Sequence, residues 1–519
     1  MRSECAGVME EADLSECADL QDLSLWSLSN TRERAGFHMP GHNRGARFSR
    51  DFAEQLLRLD LTELSNTEDL HDPGDRLSLL LDQISLIYGS GKTYLLTSGS
   101  STGIKAMLSA VSSSNSFFLI APNSHISVLS YFISTGLDYA YMQMTSLEDH
   151  QLPPGKDTND SLGYSYPYTL PGPEDLERNL KLYPQTTALL LTVPDYFGRS
   201  EDLRTISEIA HSHGCLLLVD EAHGAHFAYD QDHFPADAMH SGADISVQSL
   251  HKTLPALTMT SLLHVSKEAI YSGRVKEYKV KDAILMQETS SPSLMLAASA
   301  EFAIMWTKKH GPRIFPQLRE MIQKFQTQLH QRIGFDLIES VHPLKKDSLR
   351  IVIHIGAAGI HAIDIQREME KKGIFVEYAD PYRMVCIVSP WQTTEDFRFL
   401  LDELSDIIYF TCQKDSNHKQ QKTIEEIWKK IYMRKPLMMM KSQRASLGDT
   451  DFIALDDAVG HTAARMIIPY PPGIPILVPG ERITKEHIQF VNLAEGHTLK
   501  GMNSQDRTIC CISDLCKDF

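Results

Sequence analysis

The chain has 519 residues, 42% apolar and 23% charged, a globular composition that excludes a disordered or collagen-like polymer. At about 100–200 residues per domain, this length holds two to four domains with ample core. The 50 Lys and Arg against 67 Asp and Glu leave a net charge of −17; this excludes nucleic acid and an anionic membrane as main partners, since both need a basic face, and is compatible with a small cationic substrate.

Residues 1–35 read as an acidic, partly helical arm, in which seven acids from Glu4 to Asp22 face only Arg2. A secretory leader has a basic start and then an apolar run, and no stretch approaches the roughly 18 apolar residues of a membrane helix, so the expected location is the cytoplasm. Arg76 to Ile87 has helical spacing. Short apolar runs then recur at Thr93–Thr97, Phe117–Ala121, Ala188–Val193, Leu216–Val219 and Ile245–Gln248, separated by helical patterns such as Leu203–His213. That alternation predicts an α/β protein with a mainly parallel, doubly covered sheet and a site at strand C-terminal ends.

Residues 152–173, rich in Pro, Gly and Ser, predict a long loop, and 314–332 an amphipathic helix. Leu349–His354 and Val385–Val388 predict strands of a second, smaller α/β unit. Residues 414–444 hold nine Lys or Arg against three Asp or Glu and read as a solvated helix or connector. Ile467–Glu481 has too many prolines for a helix and reads as rigid and extended. The eight cysteines form no CxxC pair and read as reduced thiols; Cys510, Cys511 and Cys516 are expected in an exposed tail, with no metal site.

Two motifs mislead. Gly89–Thr93 (GSGKT) and Asp220–His223 (DEAH) suggest a nucleoside-triphosphate motor, but the phosphate loop needs glycine at position 86, which is Leu86, and a strand before it with a helix after it. Here a helical pattern precedes and a strand pattern follows. His223 and His226 share a His-x-x-His spacing without the Glu of a zinc-protease helix, and read as structural or cofactor-contact residues.

Four other patterns carry chemistry together. Ser98–Thr102 (SGSST) opens a helix after a strand, and such a turn offers N–H groups and hydroxyls to phosphate. His125 follows another strand, where its ring can cover a planar ligand. Asp220 ends the apolar Leu216–Val219 run, so its carboxylate needs a buried partner, and a pyridinium N–H suits. Lys252, in Ser249-Leu250-His251-Lys252, stands at a strand end before a small, apolar segment, and lysines of lowered pKa form Schiff bases. Phosphate cradle, ring cover, acid and amine are the inventory for pyridoxal 5′-phosphate.

The segments FHMPGH (Phe37–His42), LTELSNTEDLHDP (Leu61–Pro73), SGSSTG (Ser98–Gly103), DEAHGAHF (Asp220–Phe227), QSLHKTLPALT (Gln248–Thr258), TSSPS (Thr289–Ser293) and PYPPGIPILVPGE (Pro469–Glu481) resemble the Orn/Lys/Arg decarboxylase family in its shorter form, without the N-terminal wing domain. The resemblance implies a pyridoxal-phosphate fold-type-I large domain with a seven-stranded-type sheet and smaller α/β C-terminal domains. It implies boundaries of 1–35 for the arm, 36–310 for the cofactor domain, 311–412 for the small domain and 413–519 for the C-terminal domain with its tail. The implied reaction is decarboxylation of arginine, lysine or ornithine, in at least a homodimer sharing its active site.

By the same resemblance, Lys252 is the Schiff-base lysine, Asp220 the partner of the pyridine nitrogen, Ala222 the small residue against the ring and His125 the stacking histidine. Ser100, Ser101, Ser249 and His251 match phosphate contacts, and Lys252 or His251 is expected to return a proton to Cα. Glu288, Asp69 and Glu481 are candidates for clamping the substrate cation. The family's usual lysines after PGH and after the stacking histidine are here Asn43 and Ile126; Asp195 and Leu294 also depart from its pattern. Alternatives are an aminotransferase of the same fold, for which no carboxylate-clamping arginine is placed by motif, and a non-catalytic regulatory relative.

Overall fold

The computed structural model describes residues 33–64, 66–144, 166–334, 336–338, 345–412, 418–494, 498–503 and 505–513. The arm over 1–32, most of the Pro/Gly/Ser-rich loop, and Cys5, Cys17 and Cys516 lie outside the described residues.

In chain order the first elements are β1 (Ala35–Phe37), α1 (Arg50–Leu57), α2 (Asp75–Tyr88), β2 (Lys92–Leu96), α3 (Ser100–Val111), β3 (Phe117–Ile120), α4 (Ile126–Thr135), β4 (Asp138–Tyr141), α5 (Pro173–Leu182), β5 (Ala188–Thr192), α6 (Leu203–Ser212), β6 (Leu216–Asp220), β7 (Ile245–Ser249), α7 (Leu250–Thr253), β8 (Ser261–Val265), α8 (Lys267–Tyr271) and α9 (Glu277–Gln287). Seven strands form one sheet in the order β2-β8-β7-β6-β5-β3-β4. All pairs are parallel except those of β8, which runs antiparallel to β7 and β2. The unbroken Ala, Leu and Val runs of β5 and β6 follow from this placement, because central strands are covered on both faces. The GSGKT stretch is the left-handed cap of α2 at Gly89 followed by β2, the reverse of a phosphate loop.

The chain continues into α10 (Leu294–Ile333), β9 (Arg350–Ile353), α11 (Ala362–Lys371), β10 (Ile374–Val376), β11 (Tyr378–Ala379), β12 (Met384–Ile387) and α12 (Thr394–Cys412). The helix expected over 314–332 is the second half of α10, which runs for 40 residues through Pro312 and Pro316. A proline inside a helix removes a hydrogen bond; packing outweighs the loss here. Ala300, Ala303 and Ile304 sit in the large-domain core, and Ile314, Phe315, Leu318 and Ile322 in the small-domain core with Ile351 and Phe397. One rigid element therefore carries the chain across position 310. β1 pairs with β10, so Ala35–Phe37 lie along a strand of the small unit.

The last elements are α13 (His418–Tyr432), α14 (Ser442–Leu447), β13 (Thr450–Ala454), β14 (Ile468–Tyr470), α15 (Lys485–Leu493), β15 (Thr498–Lys500), β16 (Met502–Asn503) and β17 (Thr508–Ile512). α13 lies in the basic block and buries Ile424, Trp428 and Ile431 against Phe490. Cys510 and Cys511 are fully buried in β17, paired to β13, and not in an exposed tail: they alternate into two apolar clusters, one on each face. Among the described residues, no helix is long and apolar enough to cross a membrane.

Candidate active site

A cavity of about 430 Å³ opens at the C-terminal ends of β5, β6 and β7 and the N-terminus of α3. Lys252, Asp220, Ala222, His125, His251, Ser100 and Ser101 all line it. Ser249 lies directly behind, its hydroxyl donating to Ser100 Oγ at 2.7 Å. Gly99 joins β2 to α3 at φ 84°, the left-handed region that favours glycine, and a Cβ there would project into open space. This turn thus leaves room at the helix end for an anion.

Lys252 is the third residue of the short α7, and burial holds its amine below the usual lysine range. Asp220 ends β6 with 2% exposure; burial pushes its carboxyl up, Lys252 pulls it back, and Ala222 donates its N–H to Oδ1 at 3.1 Å. His125 caps α4: Ser127 donates its backbone N–H to Nδ1 at 3.2 Å, so Nε2 carries the proton, and burial lowers its pKa to about 3. His251 donates from Nδ1 to the Thr260 carbonyl at 3.1 Å and falls to about 4, again chiefly through burial. It therefore presents a lone pair at Nε2, not a proton.

Sequence reasoning missed several lining residues. Glu377, between β10 and β11, is with Asp220 one of two acids lining the cavity among the described residues; it accepts from the Met39 N–H at 2.9 Å and the Tyr196 hydroxyl at 2.8 Å. Met39 belongs to the FHMPGH segment, whose Gly41 lies so close to Leu254 that a Cβ would stand 2.5 Å from its carbonyl oxygen. Tyr470, Pro471, Pro472 and Ile474 of the proline-rich segment form another wall. The backbone of Gly473 accepts from the Ile126 N–H at 2.9 Å, and a Cβ at Gly473 would stand 2.9 Å from the His125 ring.

None of the three clamp candidates lines this cavity. Glu288 accepts from the Thr97 N–H and hydroxyl and from the Ser98 hydroxyl, bracing the SGSST turn. Asp69 accepts from the His71 N–H within its own loop. Glu481 pairs with Arg434 at 2.7 Å. Asp195 is fully buried and takes Arg199 in a two-pronged ion pair, which accounts for an acid at that position. Asn43 turns the chain at φ 44°, and Leu294 opens α10. His226 is bonded to Asp347 at 3.0 Å.

The residues fit pyridoxal 5′-phosphate on structural grounds. A half-buried amine, a buried carboxylate beside a small residue, and an open helix-end turn share one cavity. Two orphaned buried acceptors, Asn123 Oδ1 and Thr192 Oγ1, lie in its wall.

A seven-stranded sheet with a lysine, an aspartate and a helix-end cradle at its strand ends defines a pyridoxal-phosphate enzyme of fold type I. The chain belongs to the Orn/Lys/Arg decarboxylase family: residues 25–351 match the family's major domain and 425–500 its C-terminal domain. It is 29% identical to the arginine decarboxylase of Bacillus subtilis (strain 168) over 91% of this chain and 93% of that one. With the constitutive lysine decarboxylase of Escherichia coli (strain K12) it shares 22% identity over 87% and 73%. A solved lysine decarboxylase from Francisella novicida matches the fold with a TM-score of 0.72 at 18% identity, over 94% of this chain and 80% of that one. The protein is a pyridoxal-phosphate-dependent decarboxylase.

Proposed function

We propose that the protein decarboxylates a basic amino acid, with arginine the first expectation, to CO₂ and the corresponding amine. The observation that carries this is a single cavity holding the half-buried amine of Lys252 and two carboxylates, Asp220 at one strand end and Glu377 across the domain boundary. The resemblance in sequence to arginine and lysine decarboxylases supports the substrate class.

Bound pyridoxal phosphate supplies an electron-accepting pyridinium for the pair left when Cα loses CO₂. Lys252 provides the amine that carries the cofactor. Asp220 holds the proton on the ring nitrogen; that N–H cation is the partner its buried carboxylate lacks. Ala222 leaves room for the ring, and neutral His125 covers one face and excludes water. Ser100, Ser101, Ser249 and the Gly99 turn cradle the phosphate, with His251 beside them. Glu377 replaces the earlier clamp candidates as the group that meets the substrate's side-chain cation. The proton for Cα comes from Lys252, which takes up the proton shed by the substrate ammonium, because His251 has none to give.

We place the reaction in the cytoplasm, supported by four buried free thiols, Cys215, Cys386, Cys510 and Cys511. A homodimer with a shared site is supported by the cavity-lining Met259, 49% exposed in the single chain. The test is a panel of arginine, lysine and ornithine with CO₂ and amine identification, on protein whose mass in solution is measured against the 58.4 kDa chain. One basic amino acid is turned over fastest, and Glu377→Gln raises its KM by about tenfold, roughly 1.4 kcal/mol of binding. No CO₂ from any of the three overturns the reading.

A further inference from the structure

Arg350 is a buried cation with 2% exposure, and no carboxylate lies within ion-pair distance of it among the described residues. It stands at the start of β9 and reaches from the small domain toward the cavity. One terminal nitrogen lies 3.1 Å from His223 Nδ1 and the other donates to the Tyr196 carbonyl at 3.3 Å. His223 is 7% exposed, wedged edge-on against Tyr196, and its Nε2 lies 3.1 Å from Lys252 Nζ.

The donors and acceptors of this row allow one arrangement. A guanidinium donates and never accepts, and it keeps its protons at any ordinary pH. His223 Nδ1 must therefore accept, which leaves the ring's single proton on Nε2. Were Nδ1 protonated, two N–H groups would face each other at 3.1 Å. With Nε2 as donor, the Lys252 nitrogen must offer a lone pair. An ammonium there would set its N–H groups against Nε2–H in the same way.

We propose that Arg350 is a positioning residue for Lys252: by donating to His223 it fixes the ring tautomer that donates to the lysine, and so holds that amine as the neutral nucleophile that takes up the cofactor aldehyde. The amine nitrogen bonds to the aldehyde carbon, and the carbonyl oxygen leaves as water with both amine protons, so no co-reactant is needed. The groups facing Lys252 sort accordingly. Asp220 on β6 and Glu377 beside β11 favour its charged form; burial and Arg350 on β9 favour the neutral one. Burial also keeps His125 and His251 neutral, and pushes His223 well below the usual histidine range.

This rests on Lys252 as the attachment point, and the experiment separates the two claims. Apoprotein is mixed with pyridoxal 5′-phosphate across pH, and the rate of the visible band that marks attachment is followed. Lys252→Ala gives no band; a band there overturns the attachment reading itself. In Arg350→Met and in His223→Phe the midpoint of the rate profile rises by about one pH unit, so attachment at neutral pH slows about tenfold. Arg350→Lys and His223→Gln keep the order of donors and acceptors and retain the wild-type midpoint. A purely structural role lowers the melting temperature or the amplitude and leaves the midpoint in place, which overturns the proposal. So does a shift in Arg350→Met without one in His223→Phe, since that shows the arginine's field acting without the ring.

Discussion

Asp220 accepts one hydrogen bond, from the Ala222 N–H, and has 2% of its surface exposed. A carboxylate so placed is costly until a cation arrives. Burial raises its pKa in the free protein, and a ring N–H at the same spot would bring it down again. Asp220→Asn removes the negative charge while keeping size. The variant is expected to bind cofactor and to lose about 100-fold or more in kcat, the scale on which a preorganised charge acts. Turnover within a few-fold of wild type shows that the ring proton is held by another group. Lys252, Asp220 and His125 were legible in the sequence because each follows a short apolar run, so one strand's pattern places it at a strand end. Arg350 and Glu377 were not. Arg350 belongs to an apolar run, LRIVI, that reads as plain core strand, and Glu377 lies 125 residues beyond Lys252. Only the packing of β9 and β10 against the large domain brings Glu377 to the cavity and Arg350 to His223 in its wall.

At the scale of elements, five of the seven strands of the large sheet are legible as short apolar runs, whereas β4 and β8 are not, and nor is the length of α10. Its prolines argue for a break, yet the helix is continuous, packed into two separate cores. The proline-rich segment shows the converse: its rigidity was legible, but not its use as a wall of the active site, held by Glu481. That carboxylate is 1% exposed, pairs with Arg434 just beyond α13, accepts the Val478 N–H and lies beside His487 of α15. Burial works against the charge, but Arg434 and His487 prevail and hold its pKa at about 2, below its ordinary 4.5. A depressed acid contributes stability that is complete above its unfolded value and is lost as pH falls through its folded one. Here that contribution is on the order of 3 kcal/mol and disappears between about pH 5 and pH 2. Glu481→Gln should therefore melt well below wild type at pH 7, the more so because Arg434 is left buried and unpaired, and the gap should narrow as pH falls. An equal gap at pH 7 and pH 3 shows that the lost ion pair is not the cause.

At the scale of the whole molecule, the charge of −17 is unevenly placed. Residues 1–30 contribute −6, from seven acids against one Arg, and residues 414–444 contribute +6, from nine bases against three acids, so the two cancel. The excess belongs to the remainder, which includes the cofactor domain and the small domain with Glu377. Inside the cavity the proposed clamp offers one carboxylate to the substrate cation, so short-range contacts account for affinity and not for capture from a distance. Long-range attraction of a cation by a net-negative body raises its local concentration, and salt screens this: the Debye length is about 10 Å at 0.1 M and about 3 Å at 1 M. The expectation is that kcat/KM for the cationic amino acid falls several-fold as ionic strength rises from about 0.05 to 0.5 M, while kcat at saturation barely moves. An amino acid with an uncharged side chain of the same length, turned over slowly, shows no such fall because it carries no net charge for the field to act on. If both substrates respond alike, salt acts on the fold or on cofactor binding, and the charge has no part in substrate capture.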